Sequence, residues 1–184
     1  MQLGMKTPQL SVNGEIKNRK LIADSVFDVY SSSGPISVVA YVSVQLRAPG
    51  GGGGGAKTYF QEDGERGSAG QLVSSSIAIT GATAVLPSGA VGGARETTTN
   101  PLTEGGDGSN ASNATFAGLT ANGGGGGEGG FDGSGFNRNA ASVTNPDGSD
   151  AGRGGFGGDW DNASTALQSG QPGQNSRLFI QFLD

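Results

Sequence analysis

Hydrophobic and polar residues alternate most regularly between Ile36 and Leu46. Ile36, Val38, Ala40, Val42, Val44 and Leu46 fall on one side, and Ser37, Tyr41, Ser43, Gln45 and Arg47 fall mainly on the other. A period of two over eleven residues predicts a β-strand with one buried face. Ser25–Tyr30 predicts a second strand, closed by the turn residues Ser31 to Pro35. Leu178, Ile180 and Phe182 alternate with Phe179 and Gln181, so the stretch 177–183 is expected to form a closing strand that pairs with the early strands in one sheet. Asn13-Gly14 between Leu10, Val12 and Ile16 predicts a short hairpin. Weaker strand signals run over Val73 to Thr80, Ala82 to Leu86 and Thr115 to Ala121, and no window has the 3.6-residue period of a useful helix.

Between these strands the pattern disappears, and glycine takes its place. The chain of 184 residues holds 37 glycines, concentrated in blocks at 50–55, 64–70, 89–93, 105–108, 123–135 and 152–158. Glycine brings no side chain to a core and loses the most backbone entropy on folding, so such a chain is disordered unless backbone pairing orders it. The spacing points to pairing. Gly64, Gly67 and Gly70 recur every third residue, as do Gly124, Gly127, Gly130 and Gly133, and Gly152, Gly155 and Gly158. A polyproline-II helix has three residues per turn, so glycine at every third position leaves one edge as bare backbone and lets helices approach closely. A seven-residue block would then span roughly 20 Å at ~3.1 Å per residue. The expected fold is all-β: a small sandwich or sheet scaffold with glycine-rich segments packed as polyglycine-II helices and almost no α-helix. An N-terminal docking arm with short strands is expected over residues 1–34, and a glycine-rich domain over 35–184.

Composition removes most chemistry. There is no Cys and no His, which excludes disulfides, thiolate nucleophiles, the common zinc sites and an imidazole base. A net charge of −5 argues against binding a phosphate backbone, so no nucleic-acid partner is expected. Met1 to Leu10 lacks the apolar run of a signal peptide, and no segment approaches the ~18 apolar residues of a membrane span. The expectation is synthesis in a cytoplasm, without a recognisable export route and without membrane insertion.

The short motifs read as structure. Gly152-Arg153-Gly154-Gly155-Phe156 resembles an RNA-binding RGG box, but one copy in an acidic chain reads better as structural glycine. Asp107-Gly108, Asp132-Gly133 and Asp147-Gly148 offer oxygen ligands beside glycine, yet without a calcium-loop pattern they read as Asp-Gly turns. The Asn-Ala-Ser/Thr triplets at Asn110, Asn113 and Asn162 read as polar loops. Glu62, Asp63 and Glu65 form a carboxylate cluster, and a polar loop explains them more cheaply than glycoside hydrolysis does. No enzyme activity, cofactor or metal is therefore expected. Tyr59, Phe60, Phe131, Phe136, Phe156 and Trp160 lie between or beside glycine blocks. There they serve either as contact groups on rigid loops or as covers for the ends of the glycine bundle.

The order of these features resembles the glycine-rich domain of bacteriophage tail-fibre adhesins and related virion surface proteins. In that family an alternating strand runs straight into a polyglycine block, as Ile36 to Leu46 and Pro49 to Gly55 do here. A short strand and a second block follow, as in Phe116 to Asn122 and Gly123 to Gly127, and an apolar strand closes the domain, as Arg177 to Leu183 would. The resemblance covers roughly residues 26 to 184. It implies a non-catalytic protein of the virion surface, made in the host cytoplasm and released by lysis. Its loops would bind a host surface glycan or outer-membrane protein, with Tyr59, Phe60, Phe131, Phe136 and Trp160 as the receptor-binding candidates. Other virion proteins are the implied partners, with a homo-oligomer such as a trimer. The first thirty-odd residues and the small Ser/Thr/Asn-rich loops depart from the family's pattern. They leave open a capsid decoration or head-fibre role without receptor binding, and polyglycine-II faces also suit an ice-binding or matrix protein.

Overall fold

A computed structural model describes residues 10–12, 16–22, 25–38, 40–57, 63–97, 104–130, 139, 142–159 and 168–183. The fold is all-β, with no α-helix among the described residues. Its strands are β1 (Leu10–Val12), β2 (Ile16–Ile22), β3 (Ser25–Tyr30), β4 (Gly34–Val38), β5 (Ala40–Arg47), β6 (Leu72–Ile79), β7 (Ala82–Ala84), β8 (Ala114–Phe116), β9 (Leu119–Ala121) and β10 (Arg177–Phe182). An antiparallel sheet runs β2-β3-β10-β5-β6, a second runs β1-β4-β7, and β8 and β9 form a hairpin. The closing strand sits between the early ones, with Leu178 opposite both Tyr30 and Leu46. Tyr30, Val42, Val44, Leu46, Leu178 and Ile180 from the larger sheet bury one face against Ile36, Ala84, Ala114, Phe116 and Ala121.

Three strand expectations change. The alternation from Ile36 to Leu46 is two strands in two sheets, β4 pairing with β1 and β7, and β5 with β10 and β6. Both bury the same phase against one core, Ile36 with Val42, Val44 and Leu46, so a period of two carries no mark of the change of sheet. The hairpin expected around Asn13-Gly14 is not made: β1 pairs with β4 and β2 with β3. Tertiary partners override the local turn signal. The stretch Thr115 to Ala121 is a hairpin, turning at Ala117 and Gly118 with φ of 48° and 81°. Both values are positive, as a two-residue hairpin turn of type I′ requires. Alanine is an unusual residue there, which hid the turn.

Below the strands the described residues form seven extended helices with a hydrogen-bond period of three: I (49–56), II (63–71), III (87–97), IV (104–111), V (122–130), VI (152–159) and VII (168–176). Helix I continues directly from β5 and occupies the centre. Its N–H groups donate in rotation to VII, II and IV: Gly50 to Gln174 O, Gly51 to Ser68 O, Gly52 to Ser109 O, and then Gly53 back to Gln171 O. Its carbonyls accept in rotation from V, III and VI: Pro49 O from Gly124, Gly50 O from Ala90, Gly51 O from Gly155, and then Gly52 O from Gly127. The six outer helices also bond to one another in the closed order II-V-IV-III-VII-VI-II. III, V and VI run parallel to I, and II, IV and VII antiparallel, so every neighbouring pair in the ring is antiparallel.

This is polyglycine-II packing, and it accounts for every backbone polar group of the central helix between Gly50 and Gly55 without a side-chain core. Residue by residue, glycine is required by space. A Cβ on any residue from Gly50 to Gly55 would be driven into a neighbouring backbone carbonyl oxygen. Outer helices need glycine only on the edges that face another helix, the central one or a ring neighbour. Gly64, Gly67 and Gly70 of II face the Gly54, Gly51 and Ala48 carbonyls. VI needs two per turn: Gly154 and Gly157 against II, and Gly155 and Gly158 against VII. V follows the same rule, with Gly124 and Gly127 against II, Gly123, Gly126 and Gly129 against IV, and Gly124, Gly127 and Gly130 each donating to helix I. Gly152 opens VI with a positive φ of 73°.

Candidate functional site

The alternating directions sort the chain connections by end. Strands or hairpins join II to III and IV to V at the sheet end, where β5 also enters I and VII leaves into β10. The opposite end of the bundle receives the last residues of I, III, V and VI and the first residues of II, IV and VII. Tyr59 and Phe60 fall between I and II, Phe131 and Phe136 follow V, and Trp160 follows VI. All five lie outside the described residues, as do Glu62, Asp132 and Asn162. What the structure fixes is their anchorage: each belongs to a segment whose described flanks reach that one end. Lys57, the residue after helix I, is fully buried there and bridges through its backbone to Glu96 of helix III.

Side chains complete the bonding of the outer ring. Asp107, Asn110 and Asn113 follow one another at three-residue spacing, and their Oδ1 atoms accept from Gly129 (2.8 Å), Gly126 (2.8 Å) and Gly123 (3.1 Å). Asp107 is therefore part of an inter-helix ladder and not of an Asp-Gly turn, and the amides of two expected loop sequons line helix V. Glu65, from the carboxylate cluster, accepts from the Glu128 N–H. Arg153 and Phe156 of the RGG-like stretch stack on each other, with the guanidinium 5.1 Å from the ring centroid.

Asp147-Gly148 does form a turn. Gly148 has φ 71°, and the Asp147 carboxylate accepts from Ser149 N–H and pairs with Arg177. Burial alone would raise the Asp147 pKa, but the Ser149 hydrogen bonds and the Arg177 guanidinium outweigh it and hold the carboxyl below its ordinary 3.8. A lowered folded-state pKa gives stability that is fully present above the unfolded value and lost as pH falls through the folded one. Thermal midpoints of the native chain and Asp147→Asn should therefore differ by a constant amount from neutral pH down to about 4 and converge below 3.8. A gap that persists at pH 2 would show that the carboxylate charge is not what holds this turn.

The turn belongs to a segment, 142–151, that Arg47 fastens to the bundle. This buried guanidinium donates to Asn145 Oδ1 (3.0 Å), Gly70 O (3.1 Å) and Thr144 O (2.8 Å), and burial lowers its pKa. Asn145 passes the contact on to the Ser149 and Ala151 carbonyls.

A concave site lies on the flank of the bundle. Between VI and VII, Asn139, Phe156, Gly157, Asp159, Gln168 and Gln171 line a cavity of about 210 Å³. Gln168 and Gln171 belong to helix VII, which has only Gly170 and Gly173 at the required spacing and so escaped the block reading. Those two glycines, Gln-Ser-Gly-Gln-Pro-Gly-Gln, were the available signal. Among the described residues no three acidic side chains converge on a cation site, and no helix is long and apolar enough to cross a membrane. In comparisons with known proteins, no family model and no curated protein matches the chain.

Proposed function

We propose that the protein is a non-catalytic virion surface protein of a bacteriophage, a tail-fibre or fibre-tip adhesin that meets the host envelope with the connections between its glycine helices. The observation that carries this reading is the sorting of connections. A ring of helices bonded backbone to backbone gathers the flanks of the segments bearing Tyr59, Phe60, Phe131, Phe136 and Trp160 at one end, away from the sheets. Aromatic residues carried on short connections of a rigid scaffold lose little conformational freedom on contact, which suits recognition. The sheets at the other end are available for attachment to the particle, and several copies per particle would add avidity to a weak single contact.

The test is adsorption. Fluorescently labelled full-length protein should bind saturably to cells of the bacterium that yields the particle and compete with the particle for them. Trp160→Ala combined with Tyr59→Ala should reduce binding at least tenfold at an unchanged thermal midpoint. Absence of saturable adsorption, or adsorption indifferent to both substitutions, would sink the reading.

A further inference from the structure

The edge of a sheet offers a row of unpaired N–H and C=O groups to any extended chain, and proteins guard such edges with charge, bulges or shortness. The five-stranded sheet ends at β2 on one side and at β6 on the other, and the two edges differ. β2 carries Lys17, Arg19 and Lys20, and its register against β3 shifts between Ile16 and Asn18. In the three-stranded sheet both edge strands, β1 and β7, have three residues each. β6 has eight, Leu-Val-Ser-Ser-Ser-Ile-Ala-Ile, pairs with β5 without a register shift, and contains no charge, proline or glycine. No charged residue occurs anywhere from Gly67 to Ala94, in a chain with 11 basic and 16 acidic ones.

Every residue of β6 is described, and among the described residues no segment bonds to its far edge. On the core face Val42, Val44 and Leu46 of β5 are fully buried, whereas their register partners Ile77, Ser75 and Val73 are only half-buried. On the other face Ser74, Ser76 and Ala78 are exposed, and Tyr41, opposite Ala78 on β5, is 56% exposed. The hydrogen-bonding groups of the edge follow from one bond. Ala48 N–H donates to Gln71 O at 2.9 Å, one step beyond the pairing of Arg47 with Leu72. Alternation along an antiparallel ladder then turns the N–H and C=O of Val73, Ser75 and Ile77 toward β5, and those of Leu72, Ser74, Ser76 and Ala78 away from it.

This edge matches itself. Antiparallel strands set residues of one face opposite each other, and around Ser75 the chain reads alike in both directions: Val73 against Ile77, Ser74 against Ser76, Leu72 against Ala78. A second β6 laid antiparallel, with Ser75 on the two-fold axis, therefore joins apolar to apolar and serine to serine. Leu72 with Ala78 and Ser74 with Ser76 exchange the outward bonds, while Val73 and Ile77 meet at ~4.5 Å between α-carbons and cover the half-buried strip of core face. Leu72 of the second copy lands beside Ala78 and extends the apolar row begun by Tyr41. Moving the centre to Ser74 or Ser76 would set Ser75 against Val73 or Ile77, and a shift of one residue would exchange the faces. Charge points the same way. Two copies of a chain of net charge −5 repel at a distance, and along β6 they meet where neither brings a charge. Pairing of β6 with β2 would be head-to-tail and open-ended, and the cations and bulge of β2 oppose it, whereas β6 on β6 closes at two copies.

We propose that β6 is a dimer interface, at which a second copy of this chain adds its own β6 antiparallel about Ser75 and the two five-stranded sheets run on as one. The strands being antiparallel, the two glycine bundles lie at opposite ends of the joined sheet. The interface goes beyond the adhesin reading and does not depend on it.

Sedimentation equilibrium of the full chain over a concentration series tests it. The mass should approach twice 18.2 kDa. Ser74→Lys with Ser76→Lys sets like charges directly opposite one another and should weaken association at least tenfold, and Ser74→Glu with Ser76→Glu should do the same. Both positions are exposed, so each variant should keep the native far-ultraviolet circular dichroism. An equimolar mixture of the two variants should return to the dimer mass, because position 74 of one then faces the opposite charge at position 76 of the other. A native chain that stays monomeric or forms trimers, a lysine pair that leaves the mass unchanged, or a mixture that stays monomeric would overturn the interface. Cell adsorption is read separately: a monomer that adsorbs removes the interface alone, and a dimer that does not adsorb removes the adhesin alone.

Discussion

Gly52→Ala is expected to lower the thermal midpoint by at least 6–12 °C, roughly 3 kcal/mol or more for a chain of this size. Gly52 uses three neighbours at once. Its N–H donates to Ser109 O of helix IV at 3.1 Å, its carbonyl accepts from Gly127 N of helix V at 2.8 Å, and its α-carbon faces the Val91 carbonyl of helix III. A methyl group added there meets backbone, which cannot turn aside as a side chain can, and III is itself bonded to IV and VII. Relief would require moving several helices together, which places the cost at or above the upper end of ordinary overpacking. Gly125→Ala is the matched control. Its Cβ would meet only the Asn110 Oδ1 at 3.7 Å and the Ser68 Oγ at 3.8 Å, so the change should stay within about 0.5 kcal/mol. Differential scanning calorimetry of the two variants decides the matter. Equal midpoints would mean that close backbone approach does not set the glycine pattern.

Arg47→Met is expected to release the 142–151 segment while sparing the bundle. Methionine keeps the apolar stem beside Gly152 but removes the donors to Asn145, Thr144 and Gly70. Two effects oppose each other. The guanidinium is costly to bury, as its lowered pKa shows, whereas three charge-assisted bonds at 2.8–3.1 Å each contribute about 1.5–3 kcal/mol, and acceptors left unpaired add to the loss. With the burial cost offsetting most of this, a net of about 2 kcal/mol, near the value of one charge-assisted bond, is expected, or roughly 30-fold faster amide hydrogen exchange confined to 142–151. Exchange that rises equally in helices I and II would show that Arg47 supports the whole bundle and not this one segment.

These two positions also show how far the sequence could be read. Gly52 lies in a run of six, and a run with no side chain at any position can only be surrounded on every edge, so the central place of helix I was implicit in Gly50 to Gly55. Gly64, Gly67 and Gly70 likewise announced a helix with one bare edge. Helix VII was missed because Gly170 and Gly173 make only two turns of the pattern, and Ser176 serves as the next inward residue. The order of helices around the ring was not legible at all, because every glycine edge fits every other equally well and the choice is made by the strands and hairpins that set direction. Arg47 read as one more polar residue of an alternating strand. Its partners lie 23, 97 and 98 residues away in sequence, and nothing in a period of two marks contacts at such distances. The cavity lining escaped for a related reason, since Phe156 and Gln171 meet only once VI and VII are known to be neighbours.

The central position of helix I also governs when the protein can fold. Residues 49–56 come early in the chain, yet their N–H groups at Gly50, Gly53 and Ala56 wait for carbonyls at residues 174, 171 and 168. No shorter piece closes the ring, and an incomplete ring leaves a row of bare backbone groups open to any other chain. Assembly is therefore a late, all-or-none event of high contact order, slow by its topology and exposed to mispairing until the final helix docks.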